Sequence, residues 1–83
     1  HPSSSTPSIT DLKVAYEKKY KYGLIVCHNG TVMKYEVTGD FNPVITNFLL
    51  DNVQSGIYND DAGALQNALR QLNSENVVLE VFK

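Results

Sequence analysis

Apolar positions along this chain follow two periods. From Ser8 onward, Ile9, Leu12, Tyr16 and Tyr20 recur at steps of three or four, with Ala15 beside them. That spacing predicts one helical stripe. Lys13, Glu17, Lys18 and Lys21 fill the opposite side. Ser8 suits an N-cap, and Asp11 sits near the positive end of the helix. Val14 and the tyrosines would also suit a strand, and Gly23 lies just past the predicted end.

Next comes a β-hairpin centred on Asn29-Gly30, the pair favoured in a two-residue type I′ turn because both positions need positive φ. Such a loop pairs His28 with Thr31, Val26 with Met33, Leu24 with Tyr35 and Tyr22 with Val37. Those pairs share one face, and the other face sets Ile25 against Lys34 and Gly23 against Glu36. A slip of one residue removes this match of turn and pattern.

Gly39-Asp40 and Asn42-Pro43 read as a turn, with Pro43 tolerated at a strand start. Residues 44–58 carry two readings. Val44, Phe48, Leu49 and Val53 fit a helix, whereas Val44-Ile45, Phe48-Leu49-Leu50 and Gly56-Ile57-Tyr58 fit short strands around Asp51-Asn52. Asp60 and Asp61 then open a second helix with the stripe Ala62, Leu65, Ala68, Leu69 and Leu72. Arg70 sits near its negative end and Asn73-Ser74 stops it. Val77, Leu79 and Val81 alternate with Val78, Glu80 and Phe82 as a strand, which either closes this sheet or leads into a following domain. The pattern as a whole predicts one α+β domain over residues 8–83, preceded by a disordered linker over residues 1–7.

Composition narrows the function classes. The chain has 83 residues, enough for one core. Cys27 is the only cysteine, so no internal disulfide forms and a reducing compartment is expected. Apolar runs of at most five residues fall far short of the roughly 20 that span a bilayer. The net charge of −2 hides an asymmetry. Residues 1–38 carry five lysines against three acids, and residues 39–83 two bases against six acids. Such a dipole can orient an encounter.

Catalytic and metal motifs are weak. Cys27 and His28 are neighbours on a predicted strand, so they point to opposite faces and cannot form a dyad without distortion. One Cys and one internal His cannot build a zinc cluster. Asp51, Asp60 and Asp61 could hold a hard cation, but turn and cap roles explain them more simply. Asn29-Gly30-Thr31 fits a glycosylation acceptor and is already accounted for by the turn. No cofactor is expected. The stretch with most chemical content is Tyr16 to Tyr22. Lys18, Lys19 and Lys21 could neutralise phosphates while Tyr20 and Tyr22 stack on bases. The bland alternative is a helix with tyrosines inward and lysines solvated. Asp51, Tyr58, Asp60 and Asp61 form the second candidate surface, for protein contacts.

The run from Tyr22 through Cys27-His-Asn-Gly30 to Tyr35, then Pro43-Val44, Phe48-Leu-Leu-Asp51 and Val81-Phe82, resembles a coronavirus domain family. It is the C-terminal subdomain of the SARS-unique region of non-structural protein three, which precedes a ubiquitin-like fold and a papain-like protease. The resemblance spans roughly residues 22–82, and a distant bat betacoronavirus fits its divergence. Residues 52–61 look like an insertion, and the segment before Gly23 looks short. The resemblance implies a frataxin-like (double-wing) fold, with two helices on one face of an antiparallel sheet and strands over residues 44–58. It implies a non-catalytic module that contributes to RNA binding or to protein contacts in a replication complex. Its expected partners are single-stranded RNA, neighbouring domains of the same polyprotein, and viral or host proteins. Its expected location is the host cytoplasm, within a membrane-anchored replicase on modified endoplasmic reticulum, without membrane contact by this domain. Frataxin's iron binding does not carry over, because the first helix here has only Asp11 and Glu17 and is net basic. The alternative class is a small stand-alone inhibitor or adaptor that docks a target protein. A metal-binding protein is a third option.

Overall fold

The computed structural model describes residues 6–27 and 30–82. Element order is α1 (Ile9–Glu17), β1 (Gly23–Val26), β2 (Val32–Val37), α2 (Pro43–Tyr58), α3 (Ala62–Ser74) and β3 (Val77–Phe82). The strands form one antiparallel sheet in the order β1-β2-β3, so an α2–α3 hairpin is inserted between two neighbouring strands. The α+β class holds. Three helices rather than the expected two are present: α1 packs against β2, α3 against β3, and α2 against α3 and α1, while β3 closes this sheet rather than leaving it.

The hairpin register differs from the sequence expectation by one residue. Gly23 pairs with Tyr35, Leu24 with Lys34, Ile25 with Met33 and Val26 with Val32. Cys27 N–H donates to Thr31 O at 2.8 Å, and Gly30 N–H donates to Cys27 O at 3.1 Å. Thr31 is thus paired with Cys27, one residue earlier than the two-residue turn requires. Gly30 takes φ of 89°, the left-handed position that closes a three-residue hairpin loop. His28 and Asn29, and with them the expected type I′ geometry, lie outside the described residues. The shift turns Ile25 and Cys27 inward with Met33, Tyr35 and Val37, while Leu24 and Val26 face solvent. Gly23 leaves room for a ring. A Cβ at this position would overlap the ring of Tyr35, which lies across it from the facing strand.

Residues 44–58 are helix, which overturns the strand reading and the strands implied by the family resemblance. Asn42-Pro43 supplies the reason. The Asn42 side chain accepts from the N–H groups of Val44 and Ile45 at 2.9 and 3.1 Å, and Pro43 occupies the first turn, where no N–H is needed. The same two residues that read as a turn are thus a helix start. Ser8 caps α1 as expected, and Asp11, expected only as a favourable charge, also bonds back to the Ser8 N–H to complete a capping box. It ends at Glu17, sooner than its apolar stripe suggested, so Tyr20 and Lys21 leave the helix. Asp61, not Asp60, caps α3, accepting from Ala64 N–H at 3.0 Å. Each helix is stopped by a non-glycine residue at positive φ: Lys19, Asp60 and Asn76. At Lys19 and Asp60 the two backbone bonds of a Schellman cap are present.

Leu12 of α1, Leu49, Leu50 and Val53 of α2, Ala68 and Leu72 of α3, and Met33, Val77 and Leu79 of the sheet form the core. Pro7 is buried as well, and Thr6 N–H donates to Gln54 Oε1 at 3.1 Å. Thr6 and Pro7, expected in the linker, therefore belong to the folded domain, and residues 1–5 of that linker lie outside the described residues. Thr46 is buried in α2 with a hydroxyl that has no partner, a cost of about 1–3 kcal/mol. α2 and α3 approach closely at Gly56, where a Cβ would stand 3.1–3.2 Å from the Leu65 backbone. Gly56→Val forces α3 away from α2 and costs about 2 kcal/mol. Urea denaturation of the variant checks this as a lower midpoint, and an unchanged midpoint would contradict the contact.

Candidate functional site

Helices cover only the inner face of the sheet. Three rows run across the outer face: Val26, Val32 and Phe82; Leu24, Lys34 and Glu80; and Glu36 with Val78, beside Tyr22. Leu24, Val26 and Phe82 are all exposed. Sequence reasoning missed this face because the assumed register turned Leu24 and Val26 inward.

The five residues expected to contact nucleic acid lie in the α1–β1 connection, and all are exposed. Four of them border two clefts rather than one. Lys19 and Tyr20 join Tyr16, Glu17 and Val37 around a cleft of about 460 Å³. Lys21 and Tyr22 join Lys34, Tyr35, Glu36, Val78 and Glu80 around a second, of about 280 Å³, on the outer face of the sheet. Lys18 is exposed at the end of α1 and borders neither cleft. The Lys34 ammonium stands 4.8 Å from the centre of the Tyr22 ring, a cation–π contact. Lys34 thus extends the positive charge of the connection onto the sheet, a role its place in the sequence did not suggest. Glu36 and Glu80 oppose it within the same cleft.

The left-handed Lys19 explains why these lysines and tyrosines stand clear of the core. It ends α1 and turns the chain outward. Tyr16, still on α1, lies near Asp40, and hydrogen bonding to that carboxylate, with its charge, raises the phenol pKa. Burial, and then the charge of Asp11, raise that of Tyr35.

The second candidate surface is divided. Asp61 is occupied as the α3 cap, and Asp60 forms the turn between α2 and α3. Asp51 and Tyr58 lie seven residues apart on the solvent side of α2, and Tyr58 is 78% exposed. Val44, Ile45 and Phe48 extend this exposed side to the start of the helix. The strand alternative concealed them. Among the described residues, no three His, Cys, Asp or Glu side chains come close enough to hold a metal ion, so Asp51, Asp60 and Asp61 do not meet as a cation site. Cys27 is buried. No helix is long and apolar enough to cross a membrane among the described residues.

The Tyr16–Asp40 contact has a pH signature. A folded-state pKa above the unfolded value near 10.0 means that the contact's contribution is full below pH 10.0 and is lost as pH rises through the folded pKa. Asp40→Asn lowers the Tyr16 pKa toward 10.0, read by ring carbon shifts of labelled tyrosine. An unmoved Tyr16 titration would contradict the pairing.

Comparison with family models, with curated proteins and with solved structures finds no match to this chain.

Proposed function

We propose that this chain is a non-catalytic interaction module of a viral replicase multidomain protein, and that it contacts single-stranded RNA through Lys18, Lys19, Tyr20, Lys21 and Tyr22. One observation carries the reading. An exposed connection holds three lysines and two tyrosines, and Lys34 joins it through the Tyr22 ring. Single strands bind surfaces of this kind, because cations follow the phosphates while rings stack on bases. Glu36 and Glu80 beside Lys34 limit the affinity, so binding rises sharply when neighbouring domains hold the same strand. Within such a polyprotein the module works in the host cytoplasm, on a membrane-anchored replicase.

The second reading is a small adaptor or inhibitor that docks a target protein. The exposed Val44, Phe48, Asp51 and Tyr58 side of α2 favours it, since an apolar strip with one charge suits a protein partner.

Titrating isotope-labelled protein with a short single-stranded RNA at several salt concentrations tests the RNA reading. The amides of residues 18–22 shift, and log affinity falls against log salt with a slope of about −2 for three neutralised phosphates. Replacing Lys18, Lys19 and Lys21 with alanine abolishes the response. Shifts confined to α2, or none, would sink the RNA reading.

A further inference from the structure

The two edges of the sheet are built differently. Strand parity locates the backbone groups that point away from the sheet. Cys27 pairs with Thr31, and pairing repeats every second residue, so Ile25 and Gly23 direct their N–H and C=O groups at β2. Leu24 and Val26 direct theirs outward. On β3, the bond from Thr38 N–H to Asn76 O sets Val78, Glu80 and Phe82 against β2, which leaves Val77, Leu79 and Val81 outward.

The β3 edge is guarded. Val77 is fully buried, Leu79 nearly so, and α3 packs along the strand, where Arg70 and Glu80 place charges beside the edge. β1 has none of this. Its residues Gly23-Leu24-Ile25-Val26 include no charge and no proline, and Leu24 and Val26 are 57% and 70% exposed. An open, apolar, uncharged edge is a template for another strand.

We propose that β1 pairs with β1 of a second copy of this chain, antiparallel about a two-fold axis through Ile25. Self-complementarity selects this occupant. The pairing sets Leu24 opposite Val26 of the second copy on the outer face, and Ile25 opposite its own counterpart on the inner face. The apolar row of Phe82, Val32 and Val26 continues across the seam onto Leu24 of the second copy. No charge meets its like there. The cation nearest the seam within the sheet, Lys34, lies one strand inward, so the two Lys34 side chains stand at least three strand spacings apart, about 14 Å. That exceeds the Debye length of about 8 Å at physiological salt. The result is one continuous sheet with the helices of both copies on the same side.

Sedimentation equilibrium on the full chain, over concentrations up to about 1 mM, tests the proposal together with amide hydrogen exchange. The expected result is a reversible monomer–dimer equilibrium in which exchange at Leu24 and Val26 slows with concentration while Gly23 and Ile25 stay unchanged. Leu24→Pro removes an outward donor and leaves the β1–β2 ladder intact. It raises the dimer dissociation constant about tenfold or more. Val26→Lys, at a solvent-facing position, does the same by charge repulsion while the urea midpoint of the monomer holds. A monomer at every concentration overturns the proposal. So does a dimer whose slowed amides lie off β1, or one that both variants leave intact. Slowing of Leu24 and Val26 only on addition of an unrelated strand-forming peptide also overturns it, because the edge would then serve a different partner.

Discussion

The closure of the hairpin by Cys27 and Thr31 is the constraint on which the rest of the structure depends. Side chains alternate along a strand, so one residue of register decides which half of β1 the helices cover. Gly30 accepts the left-handed conformation that this closure needs. With Cys27 paired to Thr31, Ile25, Cys27, Met33, Tyr35 and Val37 form one inward surface, and Leu12, Val53 and Leu72 meet it from below. The opposite register would bury Leu24 and Val26 and push Ile25 and Cys27 into water. Both the core and the exposed sheet face follow from this one closure.

The helical layer obeys a second constraint, the close approach of α2 and α3 at Gly56. A helical glycine costs about 1 kcal/mol relative to alanine. Here the missing side chain lets Leu65 bring its backbone against α2. The turn that follows is built from Asp60 and Asp61, the first in the left-handed region and the second as the cap of the next helix. Acidic residues that could have served a ligand are thus used to reverse the chain.

Much of the fold was legible in the sequence, and the failures have physical causes. Ser8 announced the start of α1, the Leu65–Leu72 stripe announced α3, and the alternation from Val77 to Phe82 announced β3. The hairpin register was misread because both parities of β1 are apolar, Leu24 with Val26 and Ile25 with Cys27, so periodicity could not choose between them. That left the decision to Asn29-Gly30, a pair that suits a two-residue or a longer loop. Residues 44–58 were ambiguous because the helix they form is exposed at Val44 and Phe48, which blurs its amphipathic stripe. The cap at Asn42 and the proline after it could have decided for helix. Of the candidate site, the exposure of Lys18, Lys19 and Lys21 was legible from composition, whereas the sequence pattern sets Tyr20 on the apolar stripe of α1 and Tyr22 on the apolar face of the hairpin, and both are exposed. Lys34's contact with Tyr22 was not legible, because it depends on which strands are neighbours.

The exposed face of the sheet, its free edge at β1 and the basic connection leading into it give this small domain several surfaces for partners, and all of them take their orientation from the register. Cross-strand NMR contacts between α-protons test that register most directly. Leu24 with Lys34 and Val26 with Val32 are the non-hydrogen-bonded pairs of the hairpin, so their α-protons lie close enough for strong nuclear Overhauser effects. The account predicts both contacts. Contacts from Leu24 to Tyr35 and from Val26 to Met33 would contradict it.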